Sequence, residues 1–186
     1  MNLIDAINNR RSIRRFTEDK VTDDDVKYIL SAAGKSPSWA NTQVWEFIVI
    51  RDREIISRVT ETYSENNPAR KCSQSADLLI AVCAKKGVSG CKEGKPGTKF
   101  NEWFMFDLGM AVQNLTLAAW DIGLGTVVVG FMDHDRCAEI LGVPEDYELA
   151  AVMPVGKIED PDKKGPKKRE IGEYTHLNRF GTPYIQ

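Results

Sequence analysis

The stretch of sequence that decides the fold runs from Ser36 to Ile50 and reads SPSWANTQVWEFIVI. Its first half is small and polar, and the side-chain amides of Asn41 and Gln43 can both donate and accept hydrogen bonds. From Trp45 onwards the residues are mostly aromatic or β-branched, a composition that predicts a buried strand. Amide groups at the mouth of a buried strand are typical of small-molecule pockets. A helix-to-strand turn with solvated amides is the alternative interpretation of the same residues.

Upstream of this stretch lies a basic arm, residues 10–15, in which four of six residues are arginines and one is a serine. The planar fork of a guanidinium matches the oxygens of a phosphate, so the arm is a candidate phosphate clamp. A solvated basic turn is the alternative, and a charge run taken by itself favours it.

Hydrophobic periodicity and capping residues predict nine elements in the order α-α-β-α-β-α-β-α-β. The second helix begins at a capping box formed by Thr22 and Asp25, and Asp52 caps the third. Helices are predicted over residues 2–9, 22–34, 52–65, 101–122 and 133–141, and strands over residues 45–50, 78–84, 126–129 and 149–158. This order predicts an α+β sandwich, a central sheet flanked by helices.

The predicted helix over residues 101–122 is apolar nearly all round, with Asp107, Gln113 and Asn114 as interruptions. Such a helix must be buried on every side, and a subunit interface is the simplest way for a small chain to bury it. We therefore expect a homodimer. The polar interruptions argue against a membrane span.

Two segments are predicted to lie outside regular structure. Residues 85–99 contain four glycines, one proline and five lysines, which indicates a mobile surface loop beside a functional site. The tail from Glu159 is polar, and it ends in apolar residues that are able to dock on another surface. Its basic cluster consists of Lys163, Lys164, Lys167, Lys168 and Arg169.

Composition argues against several classes of protein. With 186 residues and 42% hydrophobic content, the chain is expected to form one globular domain. A net charge of −2 gives no indication of a nucleic-acid partner.

The four cysteines lack CxxC spacing and only two histidines are present, so no metal site is expected. No run of ~20 uncharged apolar residues and no signal-peptide pattern occurs, so we expect no membrane span and a cytoplasmic location. The GxGxxG dinucleotide fingerprint is absent.

Four segments together resemble one family, the nitroreductases, and they follow the family's order across nearly the whole chain. They are RRSIRRF at 10–16, SPSWANTQVWEFIVI at 36–50, DLGMAVQNLTLAAWDIGLGTVVVG at 107–130 and PEDYELAAVMPVGK at 144–157. The resemblance implies an α+β fold, a three-layer α-β-α sandwich with a mixed, mainly antiparallel central sheet. It also implies a single FMN-binding domain over residues 1–186, with a C-terminal extension from about residue 159 that wraps the partner in an intertwined homodimer.

The resemblance further implies FMN as cofactor and NADH or NADPH as co-substrate, with two FMN sites built from both subunits. The arm would hold the phosphate and ribityl chain, the partner's polar loop the isoalloxazine, and the end of a strand would lie against the flavin. The implied cofactor-binding residues are, in this order, Arg10, Arg11, Ser12 and Arg14, then Pro37, Ser38, Trp39, Asn41 and Gln43, then Val128, Val129 and Gly130. Lys168 and Arg169 are expected at the phosphate, with Lys167 as the alternative one residue away. No side chain is assigned a catalytic role, because flavin N5 carries the chemistry.

Some positions match the family less well. Asn67 and Arg70 have the Asn-x-x-basic spacing that some larger members use at the flavin. Val44 stands where the family usually has the proline of Gln-Pro-Trp, and Trp120 stands where many members have His. The chain is short near residues 85–100, where substrate-capping helices usually lie. These departures bear on the substrate more than on the cofactor.

The sequence therefore predicts an FMN-dependent NAD(P)H oxidoreductase that reduces nitroaromatic, quinone or similar electron-poor acceptors by ping-pong hydride transfer. A flavin-binding storage or sensor module without efficient turnover is the second hypothesis. An anion-binding or nucleic-acid-binding module built on the basic arm and tail is the third, and the near-neutral total charge argues against it.

Overall fold

The computed structural model of the chain describes residues 2–161 and 165–185. Lys163 and Lys164 of the basic tail lie outside the described residues. The helices are α1 Leu3–Asn9, α2 Asp23–Gly34, α3 Arg53–Glu61, α4 Arg70–Ser75, α5 Phe104–Asp121 and α6 His134–Leu141. The strands are β1 Trp45–Ile50, β2 Leu78–Lys85, β3 Cys91–Lys92, β4 Lys95–Pro96, β5 Leu124–Thr126 and β6 Tyr147–Lys157. Short 3₁₀ turns cover Trp39–Asn41 and Ile171–Glu173.

Four strands form the central sheet in the order β1-β2-β6-β5, and every neighbouring pair is antiparallel. Among the described residues, the parallel contribution is a single bridge between Ser12 and Thr126 beside the β5 edge. The mixed, mainly antiparallel sheet implied by the resemblance is thus confirmed. Strands β3 and β4 pair separately as a small hairpin.

The central strand β2 shows how both faces of the sheet become covered. Its residues from 78 to 84 are all buried and alternate between two cores, as the pleat of a strand requires. The even-numbered side chains pack with α2 and α5, and the odd-numbered ones pack with α3, α4 and α6. Helices on both faces of one sheet make the three-layer α-β-α sandwich that was expected.

Local signals set several helix ends as predicted. Thr22 Oγ1 accepts from the Asp25 N–H at 3.1 Å, and the Asp25 carboxylate accepts from the Thr22 N–H at 3.0 Å, so the capping box begins α2. The Asp52 carboxylate accepts from two backbone N–H groups in the first turn of α3. Helix α6 begins after Asp133 and ends before Gly142.

The boundaries predicted for the third helix and the third strand are wrong. Helix α3 ends at Glu61, because Tyr63 leaves it to form a bridge with Met132, and the unpredicted helix α4 follows. The strand predicted over residues 126–129 is shifted. The run of β-branched residues suggested that the strand begins at residue 126. The turn after α5 instead brings Leu124 into register with β6, so β5 begins two residues earlier. Of the predicted strand, only Thr126 belongs to β5.

Helix α5 is shorter than predicted and is not buried on every side. It begins at Phe104 instead of residue 101, and one side packs against α2 and the sheet. At its N-terminal end, Met105 and Phe106 are 61% and 60% exposed. An apolar surface therefore remains uncovered within one chain.

The segment of residues 85–100, which was predicted to lie outside regular structure, contains the hairpin of β3 and β4. The Gly97 N–H donates to Gly90 O at 2.7 Å, and the Trp103 indole N–H donates to Thr98 Oγ1 at 2.7 Å. A Cβ at Gly90 would stand 2.6 Å from Trp103 Cδ1, so this glycine permits the indole to pack against the hairpin.

The tail after residue 165 presents apolar side chains to solvent. Phe180 is 94% exposed, and its ring lies 4.4 Å from that of His176 within the tail itself. Leu3 and Ile4 on α1 are exposed in the same way. Large exposed apolar side chains of this kind mark surfaces that bind another molecule or another subunit.

Candidate functional site

The arm at residues 10–15 lines a cleft of about 570 Å³ beside the β5 edge of the sheet. The Ile13 N–H donates to Thr126 O at 2.9 Å, which fixes the extended backbone of the arm. Ile13 is buried against Trp120, whereas Ser12 and Arg14 are exposed, as alternation along an extended chain requires. The described lining residues are Arg10, Arg11, Ser12, Ile13, Arg14, Arg15, Asp160, Gly165, Pro166 and Lys168.

The cleft concentrates positive charge, and no described carboxylate forms an ion pair with it. Among the described residues, neither the four arginines of the arm nor Lys168 forms an ion pair with a carboxylate. Asp160 is the one acidic side chain among the described lining residues. Burial, together with the neighbouring charge of Arg11, lowers the pKa of Arg10 below its ordinary value. A bound anion would offset both the desolvation and the repulsion.

The tail supplies one free cation to this cleft, as far as the structure describes the tail. Lys168 lines the cleft. Lys167 Nζ instead lies 3.4 Å from Glu170 Oε1, and Arg169 Nε lies 3.4 Å from Glu173 Oε2. The structure therefore brings Lys168 to the arm and leaves Lys167 and Arg169 engaged within the tail.

The polar loop, residues 36–43, adopts an unusual backbone. Ala40, Asn41 and Gln43 have φ values of 45°, 57° and 47°, the left-handed region that non-glycine residues rarely adopt. The Gln43 N–H donates to Ser38 Oγ at 3.0 Å, and Gln43 Nε2 donates to Asn41 Oδ1 at 3.2 Å. The side chains of Asn41 and Gln43 remain exposed. Strained backbone that presents exposed amides is typical of ligand sites.

Within one chain, Trp39 of the polar loop and Ile13 of the arm are anchored at opposite ends of α5. The Trp39 N–H donates to Asp107 Oδ1 at 3.0 Å in the first turn of the helix, whereas Ile13 packs on Trp120 in the last turn. From residue 107 to residue 120 an α-helix rises about 20 Å. None of the described residues that line the cleft comes from the polar loop of the same chain. The resemblance assigns Pro37, Ser38, Trp39, Asn41 and Gln43 to the segment that the partner subunit supplies, which one chain does not test.

The predicted strand end at residues 128–130 is irregular backbone near the arm. The N–H groups of Val129 and Val152 each donate to the other's carbonyl oxygen at 2.9 Å, and Val129 is buried. Val128 is 51% exposed, two residues beyond the Thr126 that anchors the arm. Gly130 O lies 2.8 Å from His134 Nε2. None of these three residues belongs to the described cleft lining.

Asn67 and Arg70 stabilise the connection between α3 and α4. Asn67 Nδ2 donates to Phe131 O at 2.9 Å, and its Oδ1 accepts from the Ala69 N–H at 2.9 Å. Arg70 donates to Glu61 O at 3.3 Å. The structure does not bring this pair to the cleft.

Within the arm, Ile13 and Arg15 line the cleft besides the assigned residues, and outside the arm sequence reasoning missed three lining residues, Asp160, Gly165 and Pro166. The Gly-Pro dipeptide marks a turn, and this was the available signal that the tail bends back at this point. Within residues 2–161 and 165–185, no group of three or more His, Cys, Asp and Glu side chains is arranged to hold a metal ion. In the same part of the chain, no helix combines the length and apolarity needed to cross a membrane.

Known proteins are similar to this chain in both sequence and fold. The sequence profile of the nitroreductase family matches residues 7–157. A protein of Archaeoglobus fulgidus, provisionally named NADH dehydrogenase/NAD(P)H nitroreductase, is 32% identical over 158 residues, which cover 83% of this chain and 84% of the relative. The iodotyrosine deiodinase of Thermotoga neapolitana is 26% identical over 193 residues, covering 92% and 97%.

Among solved structures, a provisionally named nitroreductase of Desulfovibrio desulfuricans in complex with FMN has a TM-score of 0.77 to this chain. Its sequence identity is 26%, and the match covers 97% of this chain and 99% of that one. The profile match extends over most of the chain, and the Archaeoglobus relative exceeds 30% identity over 83% of it. The chain belongs to the nitroreductase family.

Proposed function

We propose that the protein is an FMN-dependent oxidoreductase that uses NADH or NADPH to reduce electron-poor aromatic acceptors. The observation that carries the proposal is the cleft of about 570 Å³, whose four arginines and Lys168 have no carboxylate partner among the described residues. Membership of the family supports the broader class, a flavin oxidoreductase. The names of relatives mention NAD(P)H and bound FMN, which supports the specific cofactors.

The cleft has the chemistry that the phosphate end of FMN needs. The phosphate is a dianion, and each guanidinium can bind two of its oxygens at once. Burial and the charge of Arg11 lower the pKa of Arg10, so an anion in the cleft would stabilise the charged arm. Ser12 is exposed between the arginines, which suits a hydroxyl of the ribityl chain. We assign the phosphate to Arg10, Arg11, Arg14 and Lys168.

The ring end of the cofactor would lie against the polar loop of a second copy of the chain. The points of α5 that anchor Trp39 of the loop and Ile13 of the arm are about 20 Å apart, so we expect the amides of Asn41 and Gln43 to reach a cleft from another subunit. Asn41 and Gln43 carry the donors and acceptors that a pyrimidine edge requires. Bound FMN supplies hydride-transfer chemistry, and the side chains bind and orient it.

A homodimer is the assembly that this division of the site requires. Leu3 and Ile4 on α1, Met105 on α5 and Phe180 in the tail are large apolar side chains left exposed by one chain. We propose a single domain over residues 1–186 whose extension from about residue 159 wraps around the partner. An obligate interface of this type buries more than about 2,000 Å².

The proposed acceptors follow from an aromatic surface beside the polar loop. The Trp103 ring lies 5.2 Å from the Trp39 ring and 5.3 Å from the Phe106 ring. Aromatic faces of this kind favour flat ring ligands, such as nitroarenes and quinones. The name of the Thermotoga relative indicates an iodinated tyrosine, which is also an aromatic ring, so this compound belongs in the acceptor panel.

The test of the proposal combines cofactor binding and turnover. The purified protein should be yellow, and Arg11→Ala should weaken FMN binding about ten- to a hundredfold, since a charge-assisted hydrogen bond contributes roughly 1.5–3 kcal/mol. The matched control is Lys27→Ala, because Lys27 is an exposed cation on α2 paired with Asp24. NADH and NADPH oxidation is then followed with a nitroarene, a quinone and 3-iodotyrosine. Flavin binding without turnover would indicate the storage or sensor module, and failure to bind FMN would contradict the proposal.

The assembly is tested separately by sedimentation. A dimer at micromolar concentration is expected for the FMN-loaded protein. A folded, FMN-loaded monomer would contradict the division of the site between two chains.

A further inference from the structure

Asp107 is a buried carboxylate without a cationic partner among the described residues. Its residue is 1% exposed, in the first turn of α5, where the helix N-terminus favours a negative charge. Oδ1 accepts from the Trp39 N–H at 3.0 Å, and Oδ2 accepts from Ser89 Oγ at 2.6 Å. A buried carboxylate is expensive to desolvate, so both of these hydrogen bonds are important for keeping it there.

The two donors belong to two different segments, the polar loop (residues 36–43) and the hairpin (residues 85–100). A second contact joins the same segments, because the Trp103 N–H donates to Ser89 O at 3.0 Å while the Trp103 ring lies 5.2 Å from that of Trp39. The start of α5 thus fixes the loop and the hairpin relative to each other.

The polar loop depends on this attachment for its shape. Three left-handed residues follow Trp39 within four positions, and such backbone persists only where the surroundings hold it. Helix α5 holds the loop at two points, since Asn114 Nδ2 donates to Ser36 Oγ at 2.7 Å, seven residues along the helix from Asp107. Residues seven apart lie on one face of a helix, so that face acts as a template for the loop.

We propose that Asp107 is a positioning residue that holds the backbone of Trp39, and through it the amides of Asn41 and Gln43, in the geometry that receives the flavin ring. The inference rests on the proposed function, in which these amides face the flavin held by the arm of another subunit. Asp107 then sets the geometry of the ring end of the site, and the arm independently sets the geometry of the phosphate end. Through its hydrogen bond with Ser89, Asp107 positions the hairpin as well.

Binding at the ring end and binding at the phosphate end of the site can be measured separately with two different ligands. Riboflavin lacks the phosphate and depends on the ring end, whereas inorganic phosphate depends on the arm. Asp107→Ala removes both hydrogen bonds. We expect its riboflavin affinity and its kcat/KM for NAD(P)H to fall about ten- to a hundredfold, because small misplacements of orienting groups have effects of that order. Its affinity for inorganic phosphate, measured by competition with FMN, should stay at the wild-type value.

Two further variants separate positioning from a general loss of structure. Asp107→Asn keeps an oxygen for the Trp39 N–H and can donate its amide to the Ser89 hydroxyl, so it should behave nearly like wild type. Ser89→Ala removes one of the two bonds and should show a smaller loss of riboflavin affinity, again with unchanged phosphate binding. Asp24→Ala, which removes an exposed carboxylate of α2, is the control.

The outcomes distinguish this inference from the proposed function. A wild-type protein that does not bind FMN contradicts the proposed function itself. If wild type binds FMN, a folded Asp107→Ala protein with wild-type riboflavin affinity and kcat/KM overturns the inference. Equal losses for riboflavin and phosphate also overturn it, since they would show a general structural defect. If Asp107→Ala does not fold, Ser89→Ala decides, and wild-type values for that variant overturn the proposal.

Discussion

The side chain of Arg11 lies against Gly165 so closely that a Cβ at residue 165 would stand 2.5 Å from both Cδ and Nε of Arg11. On its other side, Arg11 Nη1 donates to Asn8 O at 2.6 Å and to Arg10 O at 2.9 Å. The guanidinium is therefore held between the end of α1 and the returning tail. A cation fixed in advance loses less conformational entropy when an anion binds.

Gly165→Ala should weaken FMN binding without unfolding the protein. The added methyl group forces Arg11 or the tail to move, so a charge-assisted bond worth roughly 1.5–3 kcal/mol is weakened, and we expect about a tenfold loss of affinity. The affinity for FMN is measured by the quenching of flavin fluorescence on binding. Gly34→Ala is the matched control, because no atom lies within 4 Å of the added Cβ there. Equal affinities of the two variants would contradict the role of residue 165.

Lys168→Ala and Lys167→Ala form a matched pair one residue apart. Lys168 lines the cleft without an ion pair among the described residues, whereas Lys167 pairs with Glu170 at 3.4 Å on the exposed tail. Loss of a direct phosphate contact should lower FMN affinity about tenfold in Lys168→Ala, and Lys167→Ala should change it little. Titration in low and moderate salt separates a direct contact from a long-range charge effect. A larger effect at Lys167 would show that the bound tail uses the neighbouring register.

What the sequence predicted correctly depends on neighbouring residues. The capping box joins Thr22 and Asp25, which are three positions apart, and the buried strand β2 was recognised from one continuous apolar run. The parts that it missed depend on distant contacts. Asp107 was read as an interruption of an apolar helix, because nothing local shows that it binds Trp39, 68 residues away, and Ser89, 18 residues away. The glycines of residues 85–99 likewise suggested mobility, whereas Gly90 provides space for Trp103.

The buried thiols should make the protein less stable in alkaline solution. Burial raises the pKa of Cys83 to about 12 and that of Cys137 to about 11, from an ordinary value of 9.0. The unfolded chain releases these protons first, so their contribution is fully present below about pH 9 and is lost as the pH rises towards the folded-state values. The free energy of unfolding, measured in urea at pH 8 and pH 10.5, should fall between the two.

The control for this prediction replaces both thiols, as Cys83→Ala and Cys137→Ala together. The double variant should start less stable, because it leaves small cavities, but its loss between pH 8 and pH 10.5 should be smaller than that of wild type. It should also keep NAD(P)H-driven turnover, since neither thiol lines the cleft. An equally steep loss in the double variant would assign the alkaline transition to other groups, such as buried Tyr63, whose pKa is also raised by desolvation.

Steady-state kinetics should show that NAD(P)H and the acceptor use one pocket in turn. The arm supplies the phosphate end of the proposed site, and the aromatic surface of Trp39, Trp103 and Phe106 supplies one wall beside the polar loop. A second cleft, of about 210 Å³, has its cations engaged, because Lys20 pairs with Asp77 at 2.9 Å and Arg53 donates to Ala76 O at 2.7 Å. It therefore offers little to a dinucleotide.

Since two flat rings cannot stack in one place at once, the nicotinamide has to leave before the acceptor enters. Varying NADH or NADPH at several fixed acceptor concentrations should then give parallel double-reciprocal lines. Phe106→Ala should raise KM for the acceptor more than it changes FMN affinity, because it shortens the aromatic wall and leaves the arm intact. Intersecting lines would require both substrates to be bound together, and a Phe106→Ala protein with unchanged acceptor KM would place the acceptor elsewhere.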